Sequence, residues 1–251
     1  MDYLGIAIKA AKEAGKILIQ KYPLIDYNLK QDNSPVTEAD RIAENKIKTI
    51  IKKYCPNHGF ICEESGNENN NSEYKWIIDP LDGTKNYLRK IPFFSTLIAL
   101  SKNDEIILGV SYAPLLKELI YAEKGKGAYL NGKKINVSKI DLLEKSYLSF
   151  GGINLFEKKG NLKQLLSLAG KTMGRRGFGD AYSYHLLASG KIDIMVEPKT
   201  NIWDFAPFCI IIKEAGGKIT DIKGKSISLK SDSVISTNGL LQDKVVKEFN
   251  N

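Results

Sequence analysis

Two aspartates in Asp79-Pro80-Leu81-Asp82-Gly83-Thr84, directly after the apolar run Trp76 to Ile78, form the densest group of chemically capable side chains in the chain. Pro80 confines Asp79 to extended geometry and fixes its own φ, so the chain turns at once and brings both carboxylates toward one point. Carboxylates that close repel unless a cation lies between them. Hard divalent cations such as magnesium take oxygen ligands, and a strand end followed by a turn supplies carboxylates and an exposed carbonyl together. Gly83 and Thr84 then open a short helix whose free N–H groups suit a phosphate. The competing reading is an ordinary Asp-Pro turn with Asp82 as a helix cap.

Further acids favour the first reading. Phe60-Ile61-Cys62-Glu63-Glu64-Ser65 puts carboxylates at the end of another short apolar strand, and Trp203-Asp204 puts one at the mouth of an apolar helix. Taken singly these residues read as structural: Asp204 as an N-cap, Thr37 to Asp40 as a capping box. Four acids at strand ends and helix starts, with no rival catalytic apparatus, read jointly as a carboxylate site. No Cys has an Arg six positions later and no Asp-x-Asp nucleophile pattern occurs, so covalent phosphoenzyme routes are disfavoured. His58 and His185 are too few for a histidine-rich metal centre and read as buried or capping residues. Gly177-Phe178-Gly179 lacks the third glycine of a dinucleotide loop.

These residues need elements to hold them. A chain of 251 residues, 43% of them hydrophobic, can bury a substantial α/β core. Helical spacing predicts a first helix to about Tyr22 and a second after Pro35 with an apolar face of Ala43, Ile47, Ile50 and Tyr54. Residues Glu64 to Tyr74 read as an exposed polar loop. Trp76 to Ile78, Phe93 to Leu100, Ile106 to Tyr112 and Glu118 to Ala122 read as strands of a sheet with hairpin connections. After Ser146 helices and strands alternate: helices near Leu162 to Ala169 and Ala181 to Ser189, and a strand at Ile192 to Val196. A nearly all-apolar helix from Asp204 to Ala215, ended by Gly216 and Gly217, must be buried on several sides. We expect one unit, with residues 1–145 carrying most of the candidate metal ligands and residues 146–251 carrying Asp204 and the residues that select a substrate.

Lys and Arg number 37 against 29 Asp and Glu, and the resulting +8 favours anionic partners. No block of five or six like charges occurs, so phosphorylated metabolites are expected ahead of nucleic acid; a basic nucleic-acid-binding protein is the alternative from a different class. Cys55, Cys62 and Cys209 make neither an even set nor a CxxC pair, which fits reduced thiols in a cytosol. No leader pattern and no membrane-length apolar run are visible, so a cytoplasmic protein is expected.

Ser34-Pro35-Val36-Thr37 with Asp40, then Gly59 to Ser65, Trp76 to Asn86, and Trp203-Asp204 to Gly217 resemble, in this order and over nearly the whole chain, the inositol monophosphatase superfamily of metal-dependent phosphatases. The resemblance implies a layered α-β-α-β-α sandwich, commonly a homodimer, using two or three magnesium ions. It implies that Glu63, Asp79 and the Leu81 carbonyl hold one ion and that Asp79, Asp82 and Asp204 hold a second. Thr84, oriented by Asp40, would position the attacking water, and the Gly83 and Thr84 amides would meet the phosphate. Gly177-Phe178-Gly179-Asp180-Ala181-Tyr182 is similar to the histidinol-phosphatase branch, in which Asp180 would face the substrate's cation, with Glu197 and Tyr182 in the same pocket. Asp180 as a helix cap, and an inositol or sugar phosphatase with the same metals, remain the alternatives.

Overall fold

The computed structural model describes residues 1–22, 27–29, 35–69 and 71–250. Ser34 and Asn70 of the segments discussed above lie outside the described residues.

Helix α1 (Tyr3–Lys21) is capped by Asp2, whose carboxylate accepts from Gly5 N–H at 2.8 Å. It buries Ala7, Ala10, Ala11 and Ala14, small side chains that allow close approach to its neighbour, and the larger Leu18. After the short strands β1 (Tyr27–Leu29) and β2 (Pro35–Thr37), helix α2 (Glu38–Tyr54) begins with the expected capping box of Thr37 and Asp40. Its buried stripe runs Ala39, Ala43, Ile47, Ile51. Ile51 therefore replaces the Tyr54 of the sequence reading, which is 39% exposed, because an i, i+4 step from Ile47 stays on the inward face whereas the helix end turns outward.

The large sheet comprises β3 (Gly59–Cys62), β4 (Gly66–Glu68), β5 (Tyr74–Asp82), β6 (Ser95–Lys102), β7 (Glu105–Ala113), β8 (Glu118–Glu123), β9 (Ala128–Leu130) and β10 (Lys133–Ile135), in the order β10-β9-β8-β7-β6-β5-β3-β4. Hairpins make it antiparallel except at β3–β5, which run parallel. Several strands of this sheet differ from the sequence reading: β6 begins at Ser95, not Phe93, and β9 and β10 have no counterpart in it. Residues Gly66–Glu68 pair with β3 as an exposed edge strand inside the expected loop; a polar edge with no buried face carries no alternation to read. Strand β5 continues past Ile78 to Asp82, with a register irregularity between Asp79 and Asp82 at the proline.

The second sheet contains β11 (Tyr147–Phe150), β12 (Gly174–Arg176), β13 (Ile194–Glu197), β14 (Lys218–Thr220) and β15 (Val234–Thr237), ordered β12-β11-β13-β15-β14. The remaining helices are α3 (Thr84–Leu88), α4 (Ile153–Lys158), α5 (Leu162–Lys171), α6 (Asp180–Ala188), α7 (Ile202–Glu214) and α8 (Gln242–Phe249).

Strand alternation dictates the layers. Trp76, Ile78, Ile98 and Leu100 pack with α1 and α2, while the intervening Ile77, Leu97 and Ala99 pack with α6 and α7. Met195 and Val234 of the second sheet join that same α6–α7 core, and Ile194, Val196 and Ile235 face α4, α5 and α8. The order is helices, sheet, helices, sheet, helices, the expected α-β-α-β-α sandwich. Helix α7 lies in the middle layer, which explains its apolar circumference. It approaches β7 so closely that a Cβ on Gly109 would lie 2.2 Å from the carbonyl oxygen of Pro207.

Candidate active site

The carboxylates gather where the carboxyl ends of β3 and β5 meet the starts of α3, α6 and α7. Parallel pairing sets Cys62 opposite Ile78, and the N–H of Glu63 continues the ladder by donating to Ile78 O at 3.1 Å. Glu63 and Asp79 thus leave adjacent strands at the same level. In the turn, Asp79 Oδ1 accepts from Leu81 N–H at 2.9 Å, Thr96 Oγ1 donates to Pro80 O at 3.0 Å and Thr84 Oγ1 donates to Leu81 O at 3.0 Å. Gly83 follows with φ +82° as the N-cap of α3, and a Cβ there would meet Phe93 O at 2.8 Å, so the turn requires glycine.

The later segments close over this turn. Ala181 N–H donates to Asp82 Oδ2 at 2.7 Å, tying α6 to β5. Asp180, at the start of α6 with φ +49°, accepts from Asn86 Nδ2 at 3.2 Å; the same Asn86 amide donates to Phe93 O at 2.9 Å. Gly179, not Asp180, is the helix cap, and no cap hydrogen bond comes from a side chain there. Asp204 is the third residue of α7, not its N-cap: its Oδ2 accepts from Asn201 N–H at 2.8 Å and from Thr200 Oγ1 at 2.9 Å. Glu197, at the end of β13, accepts from Tyr184 OH at 2.8 Å. Tyr182 stacks on Phe93 with ring centroids 4.4 Å apart and meets Phe178 edge-on at 5.9 Å.

These acids act on one another. Asp79 and Asp82 are buried, and loss of water raises both carboxyls well above their usual range. Asp79 is raised further by the charges of Glu63, Asp82 and Asp204, and by a side-chain hydrogen bond with Glu63; Asp82 by those of Asp180, Asp204 and Glu197. Burial, and then neighbouring acids, lift Asp204 to about 6 and Glu197 to about 8, against the hydrogen bonds that hold each carboxylate. Burial lifts Asp180 to about 6 against the pull of Lys85. Asp40 reaches about 7, mainly by burial, opposed by Thr37 and assisted by Glu64 and Glu63.

Repelling oxygen donors with so little compensating positive charge fit a hard divalent cation. Glu63, Asp79, Asp82 and Asp204 are the candidate ligands, together with the Leu81 carbonyl. Among the described residues no three such side chains stand close enough, as placed, to enclose an ion. Asp79, Asp82 and Asp204 each have an oxygen engaged by a backbone N–H, so the match to a cation rests on donor chemistry and mutual repulsion, not on a closed cage.

Asp40 and Thr84 are not hydrogen-bonded to each other: Asp40 Oδ2 takes Thr37 N–H at 2.8 Å and Thr37 Oγ1 at 2.5 Å, and Thr84 bonds Leu81. Neither histidine belongs to the group. Buried His185 lies 2.7 Å from Ser111 and 3.3 Å from Glu118, and His58 accepts from Trp76 Nε1 at 3.1 Å. Sequence reasoning gave no role to Asn86, Tyr184, Thr200 or Asn201, whose partners are set by tertiary contact or by the backbone of a loop.

Comparison with known proteins identifies the family of the whole chain. The model of the inositol monophosphatase family matches residues 2–251. A histidinol-phosphatase of Mycobacterium tuberculosis is 32% identical, covering 99% of this chain and 98% of its own length. A fructose-1,6-bisphosphatase/inositol-1-monophosphatase of Thermotoga maritima is 37% identical, covering 100% of this chain and 96% of its own. The crystal structure of extragenic suppressor protein suhB from Bartonella henselae superposes with a TM-score of 0.93 at 32% identity, covering 100% and 99% of the two chains.

Proposed function

Because the chain belongs to the inositol monophosphatase family, we propose that it is a magnesium-dependent phosphatase of small phosphate monoesters that prefers histidinol phosphate. Glu63, Asp79, the Leu81 carbonyl, Asp82 and Asp204 hold the metal, and the first turn of α3 at Gly83 and Thr84 receives the phosphate. Bound magnesium supplies neutralisation of the dianionic ester, acidification of water and stabilisation of the leaving alkoxide. The chain's own contribution is placement. The Thr84 hydroxyl orients the attacking water from the turn that Leu81 and Thr96 fix, and Asp40, at the start of α2, belongs to the same group of acids through the charges of Glu64 and Glu63 that act on it.

The observation that carries the substrate preference is the Asp180 carboxylate. It follows Gly179 at the entrance to α6, its neighbour Ala181 bonds Asp82, and Asn86 links it to α3. A carboxylate so close to the metal ligands repels anionic ground and suits a substrate whose alcohol carries a cation. Phe93, Tyr182 and Phe178 flank it with aromatic surface, which suits a flat imidazole. Glu197, hydrogen-bonded by Tyr184 OH, is a further polar group that feels the charge of Asp180.

A second reading, a phosphatase of inositol or sugar phosphates, draws support from the Thermotoga maritima relative. Phosphate release from histidinol phosphate, inositol 1-phosphate and fructose 1,6-bisphosphate at matched magnesium separates the two. A higher kcat/KM for histidinol phosphate supports the first reading; preference for either other ester replaces it with the second.

A further inference from the structure

Helix α2 places Asp40, Glu44 and Lys48 at successive i, i+4 positions, so the three lie on one face. Asp40 is taken up at the capping box, and Lys48 donates to Ser65 Oγ at 2.9 Å and pairs with Glu68 at 3.1 Å. Glu44 between them is 2% exposed, an unusual setting for a carboxylate that, among the described residues, meets no Lys or Arg in a salt bridge. Its two oxygens are instead committed to backbone: Oε2 accepts from Glu64 N–H and Oε1 from Ser65 N–H, each at 2.9 Å. Those are the first two amides after Glu63. Glu63 itself donates its N–H to Ile78 O at 3.1 Å. The backbone at Glu63 is therefore held on its N-terminal side by β5 and on its C-terminal side by a charged fork from α2.

We propose that Glu44 is a positioning residue for the metal site, fixing the turn from which the Glu63 carboxylate is presented to Asp79. The inference rests on the reading of Glu63 and Asp79 as ligands. A glutamate leaving a strand end has three side-chain torsions of freedom, and a ligand reaches a fixed ion only if its backbone origin does not drift. Two charge-assisted hydrogen bonds on consecutive amides restrict that origin more than two neutral ones would. Both Glu44 oxygens are engaged by these amides, so its effect on the site runs through the backbone at Glu63. A turn that had only to be covered would be served by a neutral side chain, without the desolvation of a buried carboxylate.

The test is Mn2+ binding to the free protein, followed by electron paramagnetic resonance, for wild type, Glu44→Gln and Glu44→Asp. Glutamine keeps the volume but opposes one backbone N–H with its own NH2, and aspartate keeps the charge but retracts it. Both variants are expected to bind Mn2+ roughly tenfold to a hundredfold more weakly, the usual range for residues supporting a ligand. In turnover the same variants should need more magnesium for half-maximal rate, with most of kcat recovered at saturation. Thermal unfolding is measured alongside, and binding is compared at a temperature where each variant is folded. Should Glu44→Gln not fold, the aspartate variant alone decides. Lower thermal stability with wild-type Mn2+ affinity would make Glu44 a structural stitch and overturn the inference. Wild-type protein that binds no Mn2+ would overturn the metal reading itself, a result distinct from the other.

Discussion

Asp82 and Ala181 are ninety-nine positions apart in the chain and joined by one hydrogen bond of 2.7 Å, from the Ala181 amide to the Asp82 carboxylate. That bond makes the metal turn of the first sheet and the substrate end of α6 a single unit. It also explains why Asp82 responds to Asp180 more than to any other acid. A change at one of these carboxylates is felt at the other.

Asp82→Asn should separate fold from catalysis. The asparagine oxygen still accepts from Ala181, while the charge repelled by Asp180, Asp204 and Glu197 is gone. In excess chelator the variant should melt no lower than wild type. In magnesium, kcat/KM should fall roughly 10²- to 10⁴-fold, the several kcal/mol that metal-held charge contributes to a transition state. Unchanged turnover at saturating magnesium removes Asp82 from the ligand set.

The acids predict a pH dependence with a definite sign. Each of Asp40, Asp180, Asp204 and Glu197 has a folded-state pKa above its unfolded value, at about 7, 6, 6 and 8. A raised carboxyl pKa adds stability that is complete below about pH 4 and is lost as pH rises through the folded value. The chelated protein should therefore melt lower at about pH 8 than at about pH 5. Magnesium binds the ionised site, so saturating magnesium should flatten or reverse the slope. A melting temperature in chelator that is level or rises over that range refutes the mutual burial of these acids.

Gly109→Ala tests the contact between α7 and the large sheet. The new Cβ would lie 2.2 Å from Pro207 O and 2.8 Å from its Cα, backbone atoms that no rotamer change can move away. Overpacking of this kind costs about 1–3 kcal/mol, or roughly 2–12 °C in melting temperature for a chain of this size. Pro207 is three residues beyond Asp204 on the same helix, so magnesium affinity should fall as well. A variant with unchanged melting temperature and metal requirement would mean that α7 shifts freely.

What was legible in the sequence was local. The Asp79 to Thr84 turn, the Thr37 capping box and the apolar girth of α7 depend on residues a few positions apart, and each is present. The layer order followed from family resemblance and is borne out by the alternation of Ile77 and Ile78 between two cores. Long-range bonds left no local trace. Nothing near Glu44 announces that it will hold amides twenty positions away, and nothing near Asn86 announces Asp180. Strand β4 escaped because an exposed edge strand has no buried face to alternate with, and the start of α7 was read two residues late, at Asp204, because the cap is Asn201 and Asp204 is the third residue of the helix.

The last prediction concerns Asp180→Asn. Position 180 has φ +49°, a left-handed conformation that asparagine tolerates as well as aspartate does, so the backbone should persist. The asparagine oxygen can still accept from Asn86. What disappears is the charge proposed to face the cation of histidinol phosphate, a charge-assisted contact worth about 1.5–3 kcal/mol. The variant should lose about tenfold to a hundredfold in kcat/KM on histidinol phosphate. On inositol 1-phosphate, which carries no cation, it should change little or improve, because a repulsive charge near the phosphate has gone. The measurement is kcat/KM on both esters for wild type and variant, at matched magnesium and below both melting temperatures. An Asp180 that served only to link α6 with α3 would lower thermal stability and reduce both activities equally. An unchanged ratio therefore removes Asp180 from recognition and leaves the phosphatase reading intact, whereas wild-type preference for inositol 1-phosphate overturns the choice of substrate.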